Sequence, residues 1–325
     1  MIGCGTNTFT DPDDYRRNVP GLTIALVLTK SDTFRSNVTW VQLDHIRLVR
    51  IVERAPRIAF ISLAPAPVFV SFPLHNDPQP VWNGVPLRRG EMILHSRGEH
   101  FHQQTLGSAR WGLVSLAPDQ LHRFSRTLTG EDWEPPKVPR FLRMPPKVSG
   151  RFLRLYTQAC DLVRSRPDLM AHREVARALE QDLIHALVQV LTSGKPRCSS
   201  TTRQRHAAIM DRFEHVLESQ RGRPLPTSAL CAAIGVPERT LRMCCAEFIG
   251  RSPLSYARLR RLNLARSQLM RSNLATASIA TIARNFGFSE PGRFAAAYRS
   301  IFGEAPSATL RRSTVDGLSS FDSVR

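Results

Sequence analysis

Thr227-Ser228-Ala229-Leu230-Cys231-Ala232-Ala233-Ile234, Gly235-Val236-Pro237 and Glu238-Arg239-Thr240-Leu241-Arg242-Met243-Cys244-Cys245-Ala246-Glu247-Phe248 read as two short helices around a tight turn. Leu230, Cys231 and Ile234 give the first helix an inward face, and Leu241, Cys245 and Phe248 recur at i, i+4 and i+7 on the second. Arg239, Arg242, Met243 and Ala246 are left on the outward face. The pattern returns downstream: Ser278-Ile279-Ala280-Thr281-Ile282-Ala283-Arg284-Asn285, a turn at Phe286-Gly287-Phe288, then a helix from Ser289 through Arg293, Phe294 and Tyr298 to Phe302. Here Ile279, Ile282 and Ala283 support Phe294, Tyr298 and Ile301, Ser289 is the expected N-cap, and Gly292, Arg293, Ala296, Ala297 and Ser300 face outward.

Two helix-turn-helix units in tandem point to a protein that grips duplex DNA. The second helix of such a unit enters the major groove, where an arginine fork reaches O6 and N7 of guanine. Arg239 and Arg242 are the expected base contacts of the first unit. The second offers Arg293, with Ala296 beside it and Arg299 toward phosphate, and so should discriminate less. Between the units Pro253 opens a long helix, at a position where its missing amide costs nothing. Tyr256, Leu262, Ala265 and Leu269 form its packed face; Arg258, Arg260, Arg261, Arg266 and Arg271 decorate the rest, Arg260 and Arg261 being assigned to phosphate. One rigid helix sets the two readers for successive major-groove segments, about 34 Å apart.

Composition agrees. The net charge is +18 and the pI near 11.0, a balance that favours polyanionic partners. From Thr201 to Arg312 there are eighteen arginines, no lysines and seven acids, a net of +11. Arginine binds phosphate and guanine with fixed fork geometry. No apolar run approaches the roughly 20 residues of a membrane span, and the N-terminus shows no secretory pattern; a cytoplasmic protein that binds no membrane is expected. The six cysteines, at 4, 160, 198, 231, 244 and 245, form no C-x-x-C pair. Cys231, Cys244 and Cys245 read as core residues, Cys4 and Cys198 as more exposed.

A chain of 325 residues accommodates two domains. In the first half, short β-branched runs recur at Leu22–Leu28, Val38–Leu43, Ile46–Val52, Ile58–Leu63, Val68–Phe72, Met92–His95 and Trp111–Leu116, with turns at Asn76-Asp77-Pro78, Asn83-Gly84 and Arg97-Gly98. An antiparallel barrel or sandwich over about 20–117 is expected. Pro118 to Pro146 reads as a connector. Two helices follow, at about Val148–Arg164 and Ala171–Leu191, the second striped by Val175, Leu179, Leu183, Leu187 and Leu191. The organisation expected is thus a first domain over 1–192, a linker at 193–204, an all-α domain over 205–312 and a patternless tail at 313–325.

Arg261-Leu262-Asn263-Leu264-Ala265, Ile279-Ala280, Ala283, Phe286-Gly287-Phe288, Phe294, Tyr298 and Phe302-Gly303-Glu304-Ala305-Pro306 resemble the signature of the AraC/XylS family of bacterial transcription regulators over about residues 205–312. The resemblance implies a seven-helix domain with two helix-turn-helix units, promoter binding, and activation through RNA polymerase. The family's base-reading positions fall on Arg239, Arg242 and Met243, then on Pro291, Gly292, Arg293 and Ala296. Pro237 stands where the family usually has an N-capping serine. Pro291 and Gly292 leave the second reader short of polar groups. The first half, in its order of strands, helices and linker, resembles the cupin-like sensory domains of such regulators. That implies a barrel that binds a small effector, and a homodimer formed by the helices between Val148 and Leu191.

The rival reading is a cupin-like metal-dependent enzyme fused to a nucleic-acid-binding module. His95, His100 and His102 suggest it, since an H-x-H in a β-barrel is the beginning of a metal site. Gln103 and Gln104 stand where a carboxylate ligand would be wanted, so no metal and no cofactor is expected. RNA binding would call for exposed aromatic platforms, and lipid binding for an apolar helix face not already committed to a core. The sequence supplies neither.

Overall fold

The computed structural model describes residues 2–30, 33–76, 78–197, 201–220, 222–274 and 276–319. The turn residue Asp77 and the thiol of Cys198 lie outside the described residues. The chain begins with β1 (Gly3–Phe9), α1 (Pro12–Arg17), β2 (Leu22–Leu28), β3 (Ser36–Gln42), β4 (Ile46–Glu53), β5 (Arg57–Leu63), β6 (Val68–Pro73), β7 (Val81–Trp82), β8 (Val85–Pro86), β9 (Glu91–Leu94), β10 (His100–Thr105) and β11 (Ala109–Leu116). It continues with α2 (Pro118–Thr129), β12 (Arg140–Arg143), α3 (Pro146–Ser165), α4 (Pro167–Ala171), α5 (Arg173–Ser193) and β13 (Lys195–Pro196). The helical C-terminal region follows: α6 (Thr201–Ser219), α7 (Thr227–Ile234), α8 (Glu238–Ile249), α9 (Pro253–Met270), α10 (Ile279–Asn285), α11 (Pro291–Phe302) and α12 (Pro306–Ser319).

The strands form two antiparallel sheets, in the orders β1-β3-β4-β11-β6-β9-β12-β13 and β2-β5-β10-β7-β8. They share a core of Tyr15, Ile24, Val38, Ile51, Ile61 and Trp111. The expected barrel does not close into one ladder: the second sheet ends at β8, where Pro86 has no amide hydrogen to carry the pairing further. Phe72 of β6 meets Phe152 and Tyr156 of α3 edge-on, and the leucines of the α5 stripe at 183 and 187 are fully buried beside them. That stripe therefore packs within its own region, whereas Val175 at its start stays exposed.

The proline-rich stretch after 117 is not a connector. Seven of the twelve described helices begin on proline, among them α2 at Pro118 and α3 at Pro146, because a residue without an amide hydrogen loses no hydrogen bond in the first helical turn. α2 stops at Gly130, in the left-handed region at φ 76°. β1, α1 and β10 were likewise not legible as elements. β10 carries His102 and Gln103 in the interior, which hides the apolar alternation that marks a strand. The stretch read as linker pairs in part: Leu142 and Arg143 of β12 face Pro196 and Lys195. Ser289 is not the cap of α11, whose N-cap is Glu290 without a side-chain hydrogen bond. α12 runs on to Ser319, so the stretch from 313 to there is helical, and 320–325 lie outside the described residues.

The two regions are in contact. Val27 of β2 and Ile58 of β5 belong to the same core as Ile209, Phe213, Leu241 and Phe248 of the C-terminal helices. The outer face of the second sheet, apolar where water would otherwise meet it, is thereby closed by α6 and α8.

Candidate nucleic-acid interface

α7 packs Leu230 and Ile234 inward, with Cys231 half-buried. It ends at Gly235, whose φ of 76° needs a residue without a Cβ to turn the chain sharply. α8 then buries Leu241, Cys244, Cys245, Phe248 and Ile249, leaving Arg239, Arg242, Met243 and Ala246 exposed. Burial pushes the Cys244 thiol up to about 11, and that of Cys245 higher still, so both behave as small apolar side chains. Met243 is half exposed beside them. Arg242 pairs with Glu238 one turn earlier at 2.6 Å, both partners facing solvent, where such a pair contributes little and is readily exchanged for another acceptor.

The second pair of helices follows the same plan. α10 is capped by Ser278, whose side chain accepts from the Thr281 amide at 3.3 Å. Gly287 turns the chain at φ 74°, and α11 buries Phe294 and Tyr298. Its exposed residues include Gly292, Arg293, Ala296 and Arg299, while Ala297 is half-buried. Arg293 pairs with Glu290 at 2.9 Å.

α9 lies against β2, α8, α10 and α12, so most of its arginines are engaged within the molecule. Arg260 donates to Glu214 of α6 and is nearly buried there. Arg261 donates to the Phe286 and Gly287 carbonyls at 2.9 and 3.3 Å and lies over the Phe288 ring at 5.1 Å. Arg266 stands over Phe302 at 5.5 Å, and Arg271 reaches Asp13 at 3.1 Å. Arg258 remains exposed. The assignment of Arg260 to phosphate thus meets a guanidinium already held by a buried carboxylate.

Glu214 is the group that sequence reading missed. Tyr256 donates to its Oε1 at 2.6 Å, His102 Nε2 from β10 lies 2.9 Å from the same oxygen, and Arg260 takes Oε2. Burial alone would raise this carboxyl; the Arg260 charge and the His102 hydrogen bond outweigh it and hold it below the ordinary glutamate value. His100 pairs with Asp211 at 2.8 Å, and Asn263 bonds the amide and the carbonyl of Leu28 at 2.9 and 3.2 Å. His95, by contrast, faces Ser71 at 2.7 Å and Glu99 at 3.1 Å. The three histidines therefore meet three different carboxylates rather than one another, and no group of three or more metal-ligating side chains stands together among the described residues. No described helix is long and apolar enough to cross a membrane.

Residues 230–312 match the model of a helix-turn-helix domain. A probable thc operon regulatory protein of Rhodococcus erythropolis is 33% identical over 95 residues, 29% of each chain. An XylDLEGF operon transcriptional activator of Pseudomonas putida is 33% identical over 102 residues, 31% of each chain. The match thus spans about a third of the length of these relatives. A probable AraC family transcriptional regulator from Rhodopseudomonas palustris, known by its crystal structure, is 31% identical, covering 32% of this chain and 96% of that one with a TM-score of 0.30. Residues 230–312 of this chain are thus a helix-turn-helix domain of the AraC/XylS type.

Proposed function

We propose that the whole chain is an effector-responsive transcription regulator that reads promoter DNA in the cytoplasm. The observation that carries the reading is α8: a helix with a fully apolar inner face that leaves Arg239, Arg242 and Met243 together in solvent. α7 with α8 and α10 with α11 act as two helix-turn-helix units. Arg239 and Arg242 contact guanine edges, and Met243 lies against a base methyl. Arg293 and Ala296 position the second unit, and Arg299 meets phosphate. Arg260 serves the contact with the N-terminal region instead. That region, read as cupin-like from its succession of strands, helices and linker, takes the effector and carries the homodimer contact, and activation proceeds through RNA polymerase. The domains divide at 193–204.

Selection of preferred sites from random duplex DNA by the full chain tests this. The expected result is a site in which guanines fall under the first unit, with weaker preference one helical turn away. A pool that emerges without enrichment would end the reading.

A further inference from the structure

We propose that Glu238 is a positioning residue for base recognition: its carboxylate holds one edge of the Arg242 guanidinium so that the other edge is presented outward to a guanine. This role rests on the DNA reading proposed above and adds an acidic residue to it. Glu238 is the first residue of α8, and Arg242 lies one turn on. Arg242 Nε donates to Glu238 Oε1 at 2.8 Å, and a terminal nitrogen stands 2.6 Å from the same oxygen. The carboxylate therefore sits against the Nε edge. The opposite edge, formed by the two terminal nitrogens, carries the fork that matches O6 and N7 of guanine. That edge is available, since the Arg242 side chain is 63% exposed.

The arrangement recurs at the start of α11. Glu290 is the N-cap, its side chain makes no capping hydrogen bond, and Arg293 Nε lies 2.9 Å from its Oε2. In both helices the opening glutamate thus meets the outward arginine on the same edge. Arg239, exposed beside Glu238, has no such partner among the described residues.

Glutamate four residues before arginine is the favourable order on a helix, and a carboxylate in the first turn also faces the positive end of the helix dipole. Glu238 is thereby the fixed member of the pair and Arg242 the one that leans on it. Both are in solvent, so the pair adds little to folding. Its effect falls on the arginine. A long side chain loses rotamer freedom when it binds, and one already held along an edge has given up part of that freedom beforehand. The carboxylate also sorts one contact from another. It repels phosphate wherever the helix rests on the backbone, whereas in the groove it stays behind the guanidinium. Glu238 accordingly raises the preference for guanine more than the overall affinity. A glutamate that merely stabilised the helix would leave base preference untouched.

Sites selected from random duplex DNA by the full chain and by Arg242→Ala identify the guanine that Arg242 reads. The probe is that duplex with deazaguanine, which carries carbon in place of N7, at the same position. The parent chain should prefer guanine over deazaguanine about tenfold, the worth of one charge-assisted hydrogen bond. In Glu238→Ala the preference should fall to about threefold, the size of coupling expected between contacting residues. Affinity for scrambled DNA should rise about threefold as a repelling charge is removed. Glu238→Gln keeps an acceptor oxygen for Nε and should retain most of the guanine preference. The preference at the base read by Arg239 should stay as it is in both variants, and so should the melting temperature. An undiminished guanine preference in Glu238→Ala, or equal weakening on guanine, deazaguanine and scrambled duplexes, would overturn the role. A parent chain that enriches no site refutes the proposed function and this role with it; an enriched site with unchanged preference in Glu238→Ala refutes the role alone.

Discussion

Arg239 and Arg242 stand in solvent one helical turn apart, and neither makes a contact that the fold needs. Arg239→Ala or Arg242→Ala should therefore leave the melting temperature almost unchanged while costing about 1–3 kcal/mol on the preferred site and relaxing the base preference there. Gel-shift titration on preferred and scrambled duplexes separates the outcomes, since equal losses on both would reassign these arginines to phosphate. Glu214 is the opposite kind of residue. With His102, Tyr256 and Arg260 all directed at its carboxylate, Glu214→Gln leaves a nearly buried guanidinium without its counterion and should cost about 3 kcal/mol in urea unfolding at neutral pH. Its carboxyl is held below the ordinary value in the folded chain. The stability it contributes is thus present above the unfolded value, about 4.3, and is lost as pH falls through the lower folded value. The acid side of the stability–pH curve should be shallower in Glu214→Gln; superimposable acid limbs would show that another group sets it.

At the scale of elements, the two turns that precede α8 and α11 use glycine for different reasons. Gly235 and Gly287 both hold positive φ, where a side chain costs roughly 1–2 kcal/mol. A Cβ at Gly235 would meet nothing within 4 Å, whereas one at Gly287 would fall 2.5 Å from Pro224 and 2.7 Å from an Arg261 nitrogen. Gly235→Ala should show the backbone cost alone. Gly287→Ala should lose more, because its Cβ also pushes the α10–α11 turn off Pro224 and Arg261. Chemical denaturation of the two variants should rank them in that order, and equal losses would mean that Arg261 yields freely. The same neighbourhood explains why the arginines of α9 misled: a helix with neighbours on several sides has little solvent face left, and its long cationic side chains are turned to carbonyls, rings and buried carboxylates.

For the molecule as a whole, the contact between the sheets and the C-terminal helices is the main consequence. Val27 and Ile58 complete the core that α6 and α8 share, so a fragment beginning near residue 201 exposes apolar surface that the full chain buries. It should melt below the corresponding transition of the full chain, yet keep DNA binding and escape effector control. Differential scanning calorimetry and DNA titration of residues 201–325 check both halves of this, and a fragment as stable as its parent would show the contact to be energetically idle.

Local sequence was sufficient wherever structure depends on neighbours a few residues apart. The 3.6-residue spacing of Leu241, Cys245 and Phe248, the glycines at 235 and 287 and the proline at 253 determined the helix pairs, the turns between them and the outward position of Arg239, Arg242, Met243 and Arg293. The β-branched runs determined seven of the strands. Tertiary structure alone decided what lay far apart in the chain: that the strands divide into two sheets, that His102 meets Glu214, and that Arg260 is held internally while Arg258 is not. A periodicity reports which side of an element is apolar, because burial of that side is its cause. It carries no record of which distant carboxylate will come to rest against a given cation, since that pairing follows only once the two regions have packed together.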